Sequence, residues 1–345
     1  MPALLAARAD LRLTLFVGQE AFPSLRDEPW GGDVTLVRVP VRARSRTRRV
    51  LAEQILLPRS ARRLRVDLLH NTLNTAAVLP GVPQVTSIHD VIYKRYPETH
   101  AGIMASGVAL LVPLAARRSR RIVTGSEAAK QDIVRLLNID PIRIDVIPDG
   151  PGLPVAPHPL SEAELRKEFG TGDAPIVLTV AAKRPHKNLG RLIDAFALVR
   201  RDAVLLIPGF ETPFEAELKQ RAGERVRFLG WLDDATLDGL YRAATCFVLP
   251  SLAEGFGLPV LEAMLRGTPV ACSRTSALPE VAGDAAFYFD PEDTNEIAAA
   301  LELLLDNEQL RAYLRKAGLE RARRFSWEAT AEGTIATYER TLAGS

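Results

Sequence analysis

Pro250-Ser251-Leu252-Ala253-Glu254-Gly255-Phe256-Gly257-Leu258-Pro259-Val260-Leu261-Glu262-Ala263 decides the reading of this chain. It follows an apolar run, Cys246–Pro250, and opens an amphipathic one, Pro259–Arg266. Gly255 and Gly257 permit tight turning and close approach of a ligand, and Pro259 suits the first turn of a helix. The segment therefore reads as strand, loop, helix. The same alternation extends on both sides of it. Ile176–Ala182, Val204–Pro208, Val226–Leu229, Pro269–Ser273 and Ala286–Asp290 are further strand candidates, apolar throughout rather than alternating. Strands of that kind are covered on both faces. Between them lie helical patterns at Leu189–Arg200, Glu215–Ala222, Ala235–Ala244 and Asn295–Leu305. Strand and helix in repeated alternation predict a doubly wound parallel sheet.

The first half repeats the theme less cleanly. Leu11–Gly18, Val34–Val39, Asp67–His70, Gln84–His89, Ile122–Thr124 and Ile144–Ile147 are strand candidates, with helices at Arg46–Leu56, Gly102–Arg118 and Glu127–Leu137. A Pro/Gly-rich stretch follows, from Pro148 to Pro159, and ends where Ser161 and Glu164 have the spacing of a capping box. It predicts a hinge between two similar α/β domains, with a ligand cleft between the carboxyl ends of their sheets.

Composition narrows the classes. The chain has 345 residues, 47% hydrophobic and 25% charged, which excludes disorder and coiled coil and suits two domains. Its two cysteines, Cys246 and Cys272, lie in apolar runs and form neither a disulfide framework nor a zinc spacing, so a reducing cytoplasm is expected. Ala105–Ala116 is too short for a membrane span and carries Pro113, and the N-terminus lacks the features of a signal peptide. Residues 1–150 hold 22 basic and 14 acidic side chains, a balance of +8, whereas the remainder holds 22 against 28, or −6. Arginines cluster around Arg42–Arg49, Arg59–Arg65 and Arg117–Arg121. A basic half suits an anionic partner, such as a phosphorylated acceptor or peripheral contact with the inner face of a membrane; solvated faces explain each cluster equally. No aromatic platform interleaves the arginines, so nucleic acid is not expected as a partner.

Two junctions carry chemistry. At the first, the free N–H groups and positive end of the helix beginning near Leu258 attract an anion. Glu254 before that helix and Glu262 within it could grip two hydroxyl-bearing parts of one ligand; a glycine turn with two structural glutamates is the plainer reading. The second junction, Lys183-Arg184-Pro185-His186-Lys187-Asn188, gathers cationic side chains at another helix start, with Asn188 as a candidate N-cap. Lys187 suits a leaving diphosphate, while Lys183 and Arg184 taken singly read as solvated surface cations.

With Gly267–Pro291, "KRPHKNLGRLIDAF" and "FLGWLDDATLDGLYRAA", these segments resemble a retaining glycosyltransferase of family 4, of GT-B fold and close to its mannosyltransferases of polysaccharide biosynthesis. The first half resembles it more loosely, through Val85–Glu98, Ile122–Ile133 and Val146–Gly150. The resemblance implies two Rossmann-like domains facing a cleft. Residues 1–155 would form the acceptor side, 156–325 the nucleotide-sugar side, and 326–345 a helix crossing back. It implies that His89 and Glu254 attend the transferred sugar and that Glu262 binds the ribose. Backbone around Gly255, Phe256, Gly257 and Leu258 would contact sugar and diphosphate, and Lys187 the diphosphate. No metal or other cofactor is implied; a nucleotide sugar, GDP-mannose favoured, is the donor, and a glycan, lipid-linked or small molecule the acceptor.

Two departures stand out. The family's arginine ahead of the lysine is missing, and Arg184 is the chosen substitute over Lys183 and His186. The family's first strand and its glycine-rich loop are also missing, because the chain opens at what reads as the following helix, Pro2–Ala9. A non-catalytic or truncated nucleotide-sugar-binding module and a nucleotide-sugar epimerase are the rival readings. His70 reads as either a cleft residue or a structural one, His100 and His158 as surface groups, and Trp231 and Trp327 as packing residues.

Overall fold

The computed structural model describes residues 1–42, 45–99 and 103–344. Arg44, His100 and Gly102, the expected start of a helix, lie outside the described residues. The first half contains β1 (Thr14–Gly18), β2 (Thr35–Val39), β3 (Leu69–Asn71), β4 (Gln84–Ser87), β5 (Arg121–Thr124) and β6 (Ile144–Val146). The second contains β7 (Ile176–Leu178), β8 (Val204–Pro208), β9 (Val226–Gly230), β10 (Cys246–Leu249), β11 (Val270–Ser273) and β12 (Ala286–Phe289). Every pairing is parallel. The second half is one six-stranded sheet ordered β12-β11-β10-β7-β8-β9. The first half divides into a two-stranded sheet, β1-β2, and a four-stranded one, β3-β4-β5-β6.

The apolar runs of the second half are explained by burial on both faces. Ile176, Leu178, Leu206, Phe247 and Leu249 enter one core with Val260, Leu261 and Met264 of the helix Leu258–Leu265. Their strand neighbours Val177, Leu205, Ile207 and Val248 enter another, with Leu192, Ile193 and Phe196 of the helix Leu189–Leu198 and Leu301 and Leu304 of the helix Thr294–Asp306. Each such side chain contributes about 1.5–3 kcal/mol through burial. Cys246 and Cys272 are buried, unpaired thiols on adjacent strands, and burial pushes Cys246 up to about 12.

Strand order sets the place of the site. From β7 the chain proceeds outward through β8 and β9, then returns to the other side of β7 with β10. The loops leaving β7 and β10 therefore part in opposite directions, and a crevice opens between them at the carboxyl ends of the strands.

Ser161 and Glu164 form the expected capping box. Three details differ from expectation. The strand expected over Ile176–Ala182 stops at Leu178, with Thr179 N still donating to Leu206 O (3.1 Å), and the chain then turns where Arg184 N donates to Ala182 O (2.8 Å). The helix expected at Arg46–Leu56 runs on to Arg63 through a wider turn at Ala52–Leu56, and Pro58, which has no N–H to donate, follows directly on that turn. Trp231 is not a core packing residue: it is 66% exposed and stacks on Phe210 at 4.4 Å.

The helix Trp327–Ala343 lies against the first half. Thr330 Oγ1 donates to Pro148 O (2.8 Å), Trp327 Nε1 to Pro151 O (3.0 Å) and Arg120 to Thr341 O (3.0 Å). Asp145 accepts from Arg121 (2.7 and 2.8 Å) and from Thr337 (3.0 Å).

His70 belongs to this packing. Its Nδ1 is 2.7 Å from Tyr338 Oη of that helix and its Nε2 2.9 Å from Ser87 Oγ, so both ring nitrogens are engaged in the packing. Burial, with the nearby His89 adding, pushes its pKa down from 6.5 to about 4. The unfolded chain therefore takes up this proton before the folded one does. The stability held by neutral His70 is intact above about pH 6.5 and falls as pH drops toward 4, by about 3 kcal/mol in all. We expect His70→Gln to flatten the decline of the melting midpoint across that window.

Candidate active site

Lys187 and Glu254 meet in the crevice. The loop after β7 ends in a short turn, Pro185–Lys187, and the loop after β10 carries Ser251 and Glu254. Leu252 N donates to His186 O (2.8 Å), tying the two loops together. Lys187 Nζ and Ser251 Oγ both donate to Glu254 Oε1 at 2.6 Å, which leaves Oε2 for another donor. Ser276, at φ +57°, fixes the backbone of Glu254: its hydroxyl accepts from Glu254 N (3.1 Å) and donates to Glu254 O (2.7 Å).

Beyond Glu254 the chain turns at Gly255, Phe256 and Gly257 into the helix Leu258–Leu265. Gly257 sits at φ +116° as the residue before the helix, a conformation that suits glycine. No side chain caps this helix; Pro259 has no N–H and Val260 N donates to Gly257 O (3.0 Å), which leaves Leu258 N to meet an anion at the positive end of the helix. Gly255 is needed for a different reason. A side chain there would collide with the His89 carbonyl oxygen, because this loop packs directly on the first half. Ser126 Oγ donates to Gly255 O (2.6 Å), and the Glu280 carboxylate accepts from Glu127 N and Ala128 N (2.7 Å each), at the start of the helix Glu127–Leu137.

Glu262 lies on the same helix but is embedded differently. Its Oε1 accepts from Leu153 N (3.0 Å) and its Oε2 from Tyr241 Oη (2.9 Å). Burial pushes its carboxyl up, opposed by Tyr241 and Arg266. Each oxygen keeps a second lone pair for a ligand hydroxyl. Beneath it, Asp238 and Arg266 form an ion pair (2.6 Å) with both side chains fully buried, and Arg242 adds a second bond to Asp238 (2.6 Å). Arg266 also donates to Leu153 O (3.1 Å) and Pro154 O (2.9 Å), anchoring the segment between the halves.

His89 is exposed on the opposite wall. Its Nε2 is 2.9 Å from Thr72 O, an acceptor only, so Nε2 carries the proton and Nδ1 is free to accept. Its backbone N donates to Asn74 Oδ1 (2.8 Å). Asp149 lies near it, its carboxyl pushed up by burial and held back by His89.

The other cations of the second junction go elsewhere. Lys183 is fully buried, donates to Gly209 O and faces Glu215 at 3.8 Å. Arg184 is exposed at a separate hollow shared with Tyr96, Glu98 and Arg191, outside the Lys187–Glu254 cluster. Asn188 does not cap its helix. At φ +57° its amide donates instead to Pro250 O (3.1 Å) and Pro291 O (2.7 Å), bracing the crevice. Ser251, Tyr241 and Glu280 escaped the sequence reading; of these, only Ser251 stands close enough in sequence to Glu254 to have been signalled.

Comparison with known proteins follows this geometry. A family model for "Glycosyl transferases group 1" matches residues 161–321, and one for "Glycosyltransferase Family 4" matches residues 5–150. The O-antigen chain mannosyltransferase B of Escherichia coli is 32% identical over 275 residues, 74% of this chain and 70% of that protein. The chain belongs to glycosyltransferase family 4. As a family 4 enzyme it transfers a sugar from a nucleotide-sugar donor. The MMP alpha-(1->4)-mannosyltransferase of Mycolicibacterium hassiacum is 33% identical over 66% of this chain, which spans 56% of that relative. Sucrose-phosphate synthase from Thermosynechococcus elongatus superimposes with a TM-score of 0.76 at 22% identity, over 99% of this chain and 92% of that one, and so shares the GT-B fold. Among the described residues, no helix is long and apolar enough to cross a membrane.

Proposed function

We propose that this family 4 enzyme is a retaining, metal-independent hexosyltransferase. It uses GDP-mannose as donor and passes mannose to a glycan, lipid-linked or small-molecule acceptor. The observation that carries the reading is the meeting of Lys187 and Glu254 beside the uncapped start of the helix Leu258–Leu265. A bound diphosphate competes for the Lys187 ammonium and receives the Leu258 N–H at the positive end of the helix, which stabilise the charge that develops as the nucleotide leaves. Glu254 then holds sugar hydroxyls through Oε2, with the backbone of Gly255–Leu258 alongside, while His89 Nδ1 accepts from the sugar across the cleft. Glu262 takes the ribose with its remaining lone pairs. Mannose is favoured because two relatives carry mannosyltransferase names. The basic first half suits an anionic acceptor or a membrane surface, from a cytoplasmic site of action.

The cations divide sharply. Lys187→Ala is expected to lower kcat by about 10²- to 10³-fold, the scale of losing one group that stabilises a leaving anion. Arg184→Ala is expected to cost less than about tenfold, as a solvated cation outside the cluster does. Equal losses would move the diphosphate toward Arg184. The reading itself is tested by thermal shift with GDP, UDP, dTDP and ADP in the presence of EDTA, since a ligand bound only to the folded state raises the midpoint. Stabilisation by GDP that disappears in Glu262→Ala supports it; a cooperative melt unmoved by every nucleotide overturns it.

A further inference from the structure

The start of the helix Glu127–Leu137 is held by a charge from the other half of the chain. Ser126 caps this helix, its hydroxyl accepting from Ala129 N (3.1 Å). Glu127 N and Ala128 N are first-turn donors that a helix ordinarily leaves to water. Here the two oxygens of the Glu280 carboxylate take one each, both at 2.7 Å. The positive end of the helix favours that anion, and the paired charge-assisted bonds fix its direction. Neither core depends on the contact. Each half has its own parallel sheets and its own buried cluster, and Glu280 is exposed, so water serves these groups when the contact is broken. The contact therefore bears on how the two halves stand to each other.

Glu280 is also tied to the loop Glu254–Gly257. Four residues before it, Ser276 clasps Glu254 through both backbone groups (3.1 and 2.7 Å). Leu278, between them, is fully buried and packs so closely on the loop that a side chain at Gly257 would meet it at 2.8 Å. Arg321 pins the far side, donating to Glu280 O and to Val281 O (2.8 Å). The carboxylate thus moves with Glu254. On the other side, the turn that opens the helix packs on the same loop. Ser126 Oγ donates to Gly255 O (2.6 Å), and a side chain at Gly125 would lie 3.3 Å from Phe256. Strand β5 ends in this turn, and Ile88 N donates to Val123 O (2.8 Å), so β4 and His89 just beyond it travel with the helix. We propose that Glu280 is a positioning residue for sugar transfer: its carboxylate holds the start of the helix Glu127–Leu137, and with it His89, at a fixed spacing from Glu254. The effect on transfer rests on the proposed placing of the donor sugar between His89 and Glu254; the hold between the halves does not.

The test compares the full chain with Glu280→Ala and Glu280→Gln. Gln keeps the length and one acceptor but turns an amide NH₂ toward one of the helix donors. Spin labels at Gln131→Cys and Glu292→Cys, both exposed, report the spacing of the halves, while Cys246 and Cys272 are buried and stay unlabelled. Pulsed electron resonance is expected to give a narrow distance with Glu280 present and a longer, broader one in both variants. Amide exchange at Glu127 and Ala128 should quicken by about tenfold or more. The kcat for GDP release from GDP-mannose should fall by about 10- to 100-fold, the scale of a misplacement of about 1 Å. The KM for GDP-mannose should stay within about twofold, since Lys187, Leu258 and Glu262 all belong to the second half. A melting midpoint close to the parent's excludes misfolding. Unchanged spacing and exchange overturn the proposal. So do parent kinetics in a variant whose spacing has widened, and recovery of both by Gln, which would leave a role for shape alone. A parent that releases no GDP overturns the donor assignment, a separate failure; wider spacing in Glu280→Ala then still supports the hold, and unchanged spacing overturns it.

Discussion

Glu254→Gln is expected to lower kcat for sugar transfer by about 10³-fold while leaving the fold intact. Its carboxylate is held by Lys187 and Ser251 through one oxygen, so the other is presented at a fixed position beside the donor sugar. A sugar departing from a nucleoside diphosphate develops positive charge at its anomeric carbon, and a preorganised carboxylate in a closed crevice stabilises it far more than solvent does. The amide of Gln retains the shape and a hydrogen bond but not the charge. The unfolding cost is small, because Lys187 can turn to water, and a melting midpoint within a few degrees of the parent separates the catalytic effect from misfolding. Nucleotide affinity should not fall, since the ribose contacts lie elsewhere and loss of the Glu254 charge frees Lys187 for the diphosphate. A parallel collapse of GDP binding would place Glu254 under the nucleotide instead.

Asp238→Ala is expected to have the largest effect on stability, about 3–5 kcal/mol. Asp238 and Arg266 have fully buried side chains, and removing the carboxylate strands the guanidinium without its charge partner. Arg266 also lies over the Tyr241 ring at 5.4 Å and bonds to Glu262 O (3.2 Å) and to the Leu153–Pro154 backbone. The loss should therefore spread to the ribose end of the site. Urea denaturation measures the stability change, and the Michaelis constant for donor should rise in parallel in the fraction that remains folded. Asp238→Asn, which keeps the shape and one acceptor, should cost clearly less. Equal costs for Ala and Asn would assign the effect to the charge alone.

The fold was legible where local pattern and tertiary environment agree. The strands among the described residues overlap the expected runs, most plainly β7, β8, β10 and β11, where burial on both faces leaves an unbroken apolar signal. The loop from Pro250 to Ala263 was legible for the same kind of reason: glycine, proline and helix start are all written within one short segment. What was not legible is long-range. Glu280 on the helix Glu127–Leu137, Ser126 on Gly255, and Tyr241 beneath Glu262 join residues far apart in sequence, and no periodicity announces such a partner. Lys183 and Lys187 look alike in the sequence, yet one is buried against Gly209 and the other reaches the crevice. The turn that separates them is decided by tertiary packing around Asn188.

The division of the first half into two sheets is a related case. The order of elements did not tell whether β1 would close onto β3. It does not, and the cavity between them keeps both edges open.

The most direct test of the central claim is NMR of GDP-mannose labelled at the anomeric carbon, followed with enzyme and EDTA and without added metal. The account predicts release of GDP with the first-formed mannose or mannoside in the α configuration of the donor, abolished in Glu254→Gln. A folded enzyme that gives a β product first, or that releases no nucleotide from GDP-mannose or from UDP-, dTDP- and ADP-sugars, would contradict it.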